Sequence, residues 1–442
     1  MTRSRVPRAG GAALALADQA LVSGTNFLTT VLLVRELGLD TFGVFSLIWL
    51  LVVLAVGLEQ ALVSQPLLTI APKTADGSRA PYLGAVLVLQ GAYTLLSALA
   101  AGAVYAAVLA RRDDPVLAGT FLPVVGAVVA KQAHAFVRAL HFAHGERRAA
   151  LGNDLVAYAD QLVLLGLLAA AGKLGLAAAL GTVGACSGLA ALLGLARHRH
   201  RRTTRAALAD AARRHWRTAR WLAAMQIAQL FASNSFLLAA GALLGVGAVG
   251  VIKAAHSVVG VLNLLFLAVE NVVPVSAARL FFAQGRDAAL RYLAWIGSRG
   301  AAVTAAVAGA LVLFPRAVLE PLYGAPASDE LVLALRALAA LTACGFAISV
   351  LQIAFRTLER TRPVFLAYGV NTGVAVLAAP PVVERFGFAG AVVGMAAQQA
   401  LMAGLLAAAL AFTVRSSGRG RAQAVTRVAG SAAGGAGSAA RP

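Results

Sequence analysis

The chain has 442 residues, of which 60% are hydrophobic and only 13% are charged, and its mean hydropathy is +0.80. An ordinary soluble domain carries about 25% charged residues, so a water-soluble fold, which would have to hide all this apolar surface, is excluded. The formal charge of +20 raises nucleic acid as a partner, but the placement of the cations points to a membrane instead.

A spanning helix needs about 20 mostly apolar residues. In chain order such stretches lie near 12–34, 42–65, 82–110, 116–139, 151–171, 174–196, 221–243, 248–277, 293–314, 331–354, 363–383 and 387–413. They predict an all-α polytopic membrane protein of about twelve transmembrane helices. Only Leu244-Gly245-Val246-Gly247 separates the seventh from the eighth. The opening resembles a signal peptide, with Arg3, Arg5 and Arg8 before an Ala-rich run and Ala15-Leu16-Ala17 as a cleavage-like site. The apolar pattern continues to Val34, so the segment is expected to stay as the first span.

With the amino terminus inside, Arg3, Arg5, Arg8, the Arg197-to-Arg220 linker, Arg356, Arg360, Arg362 and the tail arginines from Arg415 all face the cytoplasm. The other side keeps Arg35, Arg111, Arg112, Lys173, Arg316 and Arg385. That asymmetry predicts a multi-pass cell-membrane protein with both termini cytoplasmic. The His198-Arg199-His200 run reads as part of this orientation signal, in contact with anionic lipid, rather than as a metal site. Cys186 and Cys344 lie inside predicted helices and offer neither a disulfide framework nor zinc spacing.

The basic stretch 197–220 divides the chain into a six-helix N-terminal lobe (1–196) and a six-helix C-terminal lobe (221–413). A Gly/Ser/Ala/Arg tail (414–442) is expected to be disordered. Weak internal similarity supports a duplication. Ser23-Gly24-Thr25-Asn26-Phe27 in the first span matches Ala232-Ser233-Asn234-Ser235-Phe236 in the seventh. Gly43, Glu59-Gln60 and Pro66 in the second match Gly250, Glu270-Asn271 and Pro274 in the eighth.

Polar residues inside spans carry the functional information, because a charge at the bilayer centre costs roughly 2.5–3.5 kcal/mol on insertion scales. On the eighth span Lys253, His256, Gly260, Asn263, Glu270 and Pro274 recur at steps of three, four or seven, as one helical stripe. On the fourth, Lys131, His134, Arg138 and His141 form a basic ridge about 15 Å long at 1.5 Å per residue. Gln19, Ser23, Asn26 and Thr30, with Asp18 beside them, mark the first span; Gln226, Gln229 and Ser233 mark the seventh. Each stripe has a plainer explanation. Lys253, Arg336, Arg138 and His141 lie near predicted helix ends and can snorkel, the amides and hydroxyls can serve as interhelical hydrogen bonds, and Glu59 or Asp160 can neutralise Lys131.

The opening run, from Asp18, Gln19, Ser23, Asn26 and Phe27 through Arg35, Leu37, Gly38, Phe42, Gly43 and Phe45, resembles the first helix pair of bacterial polysaccharide and O-antigen flippases. These belong to the multidrug/oligosaccharidyl-lipid/polysaccharide exporter superfamily. The resemblance is specific over roughly 18–66 and looser at Phe136-Val137-Arg138 and the basic loop that follows. It implies two six-helix lobes around a V-shaped cavity walled by the first, second, seventh and eighth helices. It also implies transfer of undecaprenyl-pyrophosphate-linked oligosaccharide from the cytoplasmic to the outer leaflet, with polysaccharide polymerase and glycosyltransferases as pathway partners.

A glycan head cannot cross about 30 Å of hydrocarbon without substitute hydrogen bonds. On this reading Lys131, Arg138 and Lys253 contact pyrophosphate or acidic sugar, and Asn26, Gln226, Asn234 and Asn263 contact sugar hydroxyls. Asp18, Glu59, His256 and Glu270 are the candidates for proton or ion coupling, and neither a cofactor nor a metal is expected. The alternative is a cation-coupled multidrug exporter of the same superfamily, whose cavity should be acidic and aromatic. An enzyme is disfavoured because the longest outer connection, about 315–330, is too short to hold a catalytic domain. No Gly-x-x-x-x-Gly-Lys-Ser/Thr pattern marks a nucleotide site.

Overall fold

A computed structural model describes residues 9–111, 115–198, 203–360 and 362–435. All regular structure among them is helical. In chain order the helices are α1 (Ala9–Glu59), α2 (Gln65–Ile70), α3 (Asp76–Leu109), α4 (Pro115–Ala118), α5 (Phe121–Ala143), α6 (Arg147–Ala170), α7 (Leu176–Arg197) and α8 (Arg205–Leu243). They continue with α9 (Val246–Gly260), α10 (Asn263–Gln284), α11 (Arg286–Leu313), α12 (Pro315–Tyr323), α13 (Asp329–Ala340), α14 (Thr342–Thr357) and α15 (Arg362–Gly435). A π turn, Gln60–Ser64, joins α1 to α2, and a 3-10 turn, Ala71–Lys73, follows α2.

Eight helical stretches are long and apolar enough to cross a membrane by length and composition. Two of them hold two spans each. The stretch Ala17–Lys73 is kinked at Gly38 (φ 74°), and Arg362–Val414 is kinked at Gly387 (φ 58°). At Gly38 the positive φ is a conformation that a side chain disfavours. Together with α5 and the α9–α10 pair, these account for the twelve predicted spans. The eighth and tenth spans are not single helices, however. The chain breaks at Val261 and Leu262 between α9 and α10, and at Leu341 between α13 and α14. The stripe from Lys253 to Pro274 is therefore interrupted, a correction to its reading as one helical face. The reason is local: Gly260 is a poor helix former, and the Leu262 N–H turns back to the Val259 carbonyl at 3.0 Å in a tighter turn. At the C-terminus α15 runs to Gly435, into the segment whose composition predicts disorder.

The helices pack as two compact units. The first comprises Met1–Leu264, Gly309–Ala339 and Thr372–Met395; the second comprises Leu265–Ala308, Ala340–Asn371 and Ala396–Pro442. In lipid the hydrophobic effect does not press helices together, so close packing depends on small residues. In the first unit, glycines on α7 let it lie directly on α5. A Cβ at Gly184 would stand 3.2 Å from the Ala127 nitrogen, and one at Gly194 would stand 2.2 Å from Val137 Cγ1. Arg35 of α1 donates to the Leu322 carbonyl at 2.6 Å and to the Pro321 carbonyl, satisfying the exposed C-terminal carbonyls of α12. Tyr323 then donates to the Ala254 carbonyl of α9 at 2.8 Å. In the second unit the core gathers around Phe346, its ring tilted against that of Phe266 at 5.5 Å and seated on Gly300.

Candidate functional site

The basic ridge of α5 is real, and it points inward. Lys131, His134 and His141 are all buried, and Arg138, one turn along the ridge, is partly exposed. A row of buried cations cannot stand alone, since each ion taken from water costs several kcal/mol unless it is paired. The pairing comes from two other helices of the first unit. Arg138 Nε lies 2.8 Å from Asp154 Oδ2 on α6, and Arg138 Nη2 pairs with Asp18 Oδ2 on α1. The second oxygen of Asp154 meets His134 Nε2 at 3.0 Å. Asp154 is fully buried and serves both Arg138 and His134, while Asp18 is 6% exposed.

Lys131 is treated differently. Among the described residues it forms no ion pair with a carboxylate. Its ammonium sits 4.3 Å over the Tyr158 ring and 5.9 Å from the Trp49 ring, an aromatic seat for a desolvated cation. Neither Glu59 nor Asp160 is its partner. Glu59, fully buried, accepts from Ser64 at 2.7 Å across the π turn, and Asp160 is exposed. The π turn directly follows Glu59, and such bulges recur at functional positions.

Other predicted residues of the first unit stand apart from this network. Asn26 on α1 is exposed, and its carbonyl accepts from Thr30 at 3.0 Å. Gln226 on α8 faces Gly57 of α1, whose added Cβ would meet Gln226 Nε2 at 2.5 Å. Asn234 spends its amide on the Leu230 carbonyl of its own helix at 2.9 Å. Lys253 is half-buried and His256 exposed on α9. Asn263 begins α10, and its side chain lies outside the described residues. Glu270 is exposed and belongs to the second unit. Of the predicted set, the fold joins Asp18 to Arg138 and places Lys131 on the same ridge.

Three participants were not singled out from the sequence: Asp154, Tyr158 and Trp49. A signal existed for two. Asp154, Tyr158 and Gln161 are spaced i, i+4, i+7 on α6, the period of one helical face, and Gln161 reaches Thr29 of α1 at 3.2 Å. The arrangement as a whole is an ion-pair network across α1, α5 and α6. Arg138 links two carboxylates, so a change of charge on Asp18 alters the hold on Asp154 and, through it, on His134.

No known family profile matches the chain, and no curated protein sequence matches it. Solved structures do. The lipid II flippase MurJ in an inward closed conformation superposes with a TM-score of 0.65 over 89% of this chain and 86% of that one, at 11% identity. An inward-facing multidrug resistance MATE family transporter of the MOP superfamily gives 0.64 over 91% and 94%, at 15% identity. A MOP superfamily transporter from Pyrococcus furiosus gives 0.59 over 89% and 92%, at 12% identity. At these identities the likeness concerns architecture, and it covers nearly the whole chain. The chain shares the fold of these solved transporters and of the flippase, and its helices are long and apolar enough for multiple membrane spans.

Proposed function

We propose that the protein is a flippase that carries undecaprenyl-pyrophosphate-linked oligosaccharide from the cytoplasmic to the outer leaflet of the cell membrane, for cell-surface polysaccharide synthesis. Both termini face the cytoplasm, and two lobes alternate access to the pathway. The chain performs no covalent chemistry: its work is to replace the water around a polar head group. The observation that carries this reading is Lys131, a buried ammonium held by aromatic rings and, among the described residues, lacking a carboxylate partner. A cation kept in this way suits an anionic head group. Lys253 supplies a second cation, Asn26, Gln226, Asn234 and Asn263 the sugar contacts, and Arg138 an anchor released when Asp18 takes a proton. Glu59, His256 and Glu270 are the further coupling groups, and the proposed kinship is with the O-antigen flippases.

The second reading, a cation-coupled multidrug exporter, draws on one specific observation as well: Asp18 and Asp154 place two carboxylates together on α1 and α6. Proteoliposomes separate the two. With a fluorescent undecaprenyl-pyrophosphate oligosaccharide, wild type exposes the probe in the second leaflet, while Lys131→Gln and Lys253→Gln at equal reconstitution do not. A protein that moves no lipid-linked sugar but expels a cationic dye along a proton gradient is the exporter.

A further inference from the structure

A second cluster of ligating side chains lies where α5 and α7 end, beyond the Lys131–Asp154 network. His141 Nδ1 stands 3.3 Å from Glu146 Oε2 and 3.1 Å from His198 Nε2, and the three atoms all fall within 4.8 Å of one another. We propose that His141, Glu146 and His198 form a binding site for a divalent late first-row metal ion of the zinc class.

The spacing fits. Ligand atoms about 2.1 Å from a tetrahedral zinc are about 3.4 Å apart, close to both measured separations. Two imidazoles with one carboxylate are a donor set for zinc, leaving a fourth position for water. The backbone sets the geometry in advance. After α5 the chain turns through Gly145 (φ 77°), with the Glu146 N–H bonded to the His141 carbonyl at 2.9 Å and the Gly145 N–H bonded to the Phe142 carbonyl at 3.0 Å. This helix-ending turn folds the Glu146 side chain back onto the His141 ring. His198 arrives because Gly194 brings α7 against α5.

The neighbours also suit a ligand role. His144 Nδ1 is bonded to the Leu140 carbonyl at 2.8 Å, and its ring lies tilted against that of His198, with centroids 4.7 Å apart. His200, which follows in the sequence, lies outside the described residues. A metal here would tie the beginning of the 197–220 linker to the α5–α6 turn.

The test uses the full chain in detergent, purified with a histidine-free tag. Zn2+ is titrated against a chromophoric chelator, and Co2+ is used as a visible-band reporter. Wild type should bind one equivalent of Zn2+ and give the intense cobalt spectrum of a four-coordinate site. Glu146→Gln and His198→Ala, both at accessible positions, should each lose affinity by roughly tenfold or more while melting like wild type in the absence of metal. The proposal is overturned if wild type binds no more Zn2+ than the double variant, or if either single variant keeps wild-type affinity and spectrum.

Discussion

Gly43 of α1 and Gly250 of α9 meet backbone to backbone. A Cβ on Gly43 would lie 1.9 Å from the Val246 carbonyl oxygen, and one on Gly250 would lie 1.9 Å from the Leu39 carbonyl oxygen. Neither position admits a side chain unless the two helices separate. The two glycines also occupy matching places in the two halves of the sequence, so the contact joins corresponding points of the chain.

Gly43→Ala and Gly250→Ala should therefore destabilise the protein by about 1–3 kcal/mol, the usual range for forcing extra volume into a packed contact. Gly24→Ala is the control. No atom lies within 4 Å of its added Cβ, and alanine is favoured over glycine in a helix by about 1 kcal/mol. Thermal melting in detergent should rank Gly24→Ala at or above wild type and the other two below it.

Asp154→Asn should be the most damaging single change in the charge network. It leaves Arg138 and His134 facing an amide in a buried site, and breaking a buried pair on one side costs about 3–5 kcal/mol. The contrasting case is Asp210, paired with Arg214 at 2.8 Å with both side chains about half exposed, where Asp210→Asn should change stability by less than about 1 kcal/mol. Equal melting temperatures for the two variants would contradict the role given to Asp154.

Arg35→Ala should loosen α12. It removes the donors to the Leu322 and Pro321 carbonyls, and hydrogen bonds to a charged group contribute about 1.5–3 kcal/mol. The expected sign is faster proteolysis within 315–330 than in wild type. Arg35→Lys should restore only part of the protection, because an ammonium does not reproduce the forked geometry.

Much of this architecture was legible in the sequence, because a membrane helix announces itself by apolar length alone. Gly38 falls between two predicted spans, and Gly387 is the first residue of the last one, so both kinks lie at predicted span boundaries. The breaks at Val261–Leu262 and Leu341 did not announce themselves, since the apolar run continues through both. The site was half legible. The α5 ridge follows from the 3.6-residue period, but the partner of Arg138 does not, because no pattern along one helix says which neighbour it will face. Asp154 lies three residues inside a predicted span beginning at 151, and its position along the chain gives no sign of its burial. Its burial comes from α1 and α5 closing over it.

Helix α8 is longer than a bilayer is thick. The 39 residues of α8 make a rod about 58 Å long at 1.5 Å per residue, nearly twice the hydrocarbon thickness. The Thr204 hydroxyl caps its first turn. His215, within the basic stretch, touches the Tyr82 hydroxyl at 2.9 Å and the Leu62 carbonyl at 3.2 Å. The stretch between the two sequence halves is thus, over most of its length, a stiff lever with a pivot at His215. Were the membrane portion to tilt about that contact, the overhanging end would move in the opposite direction.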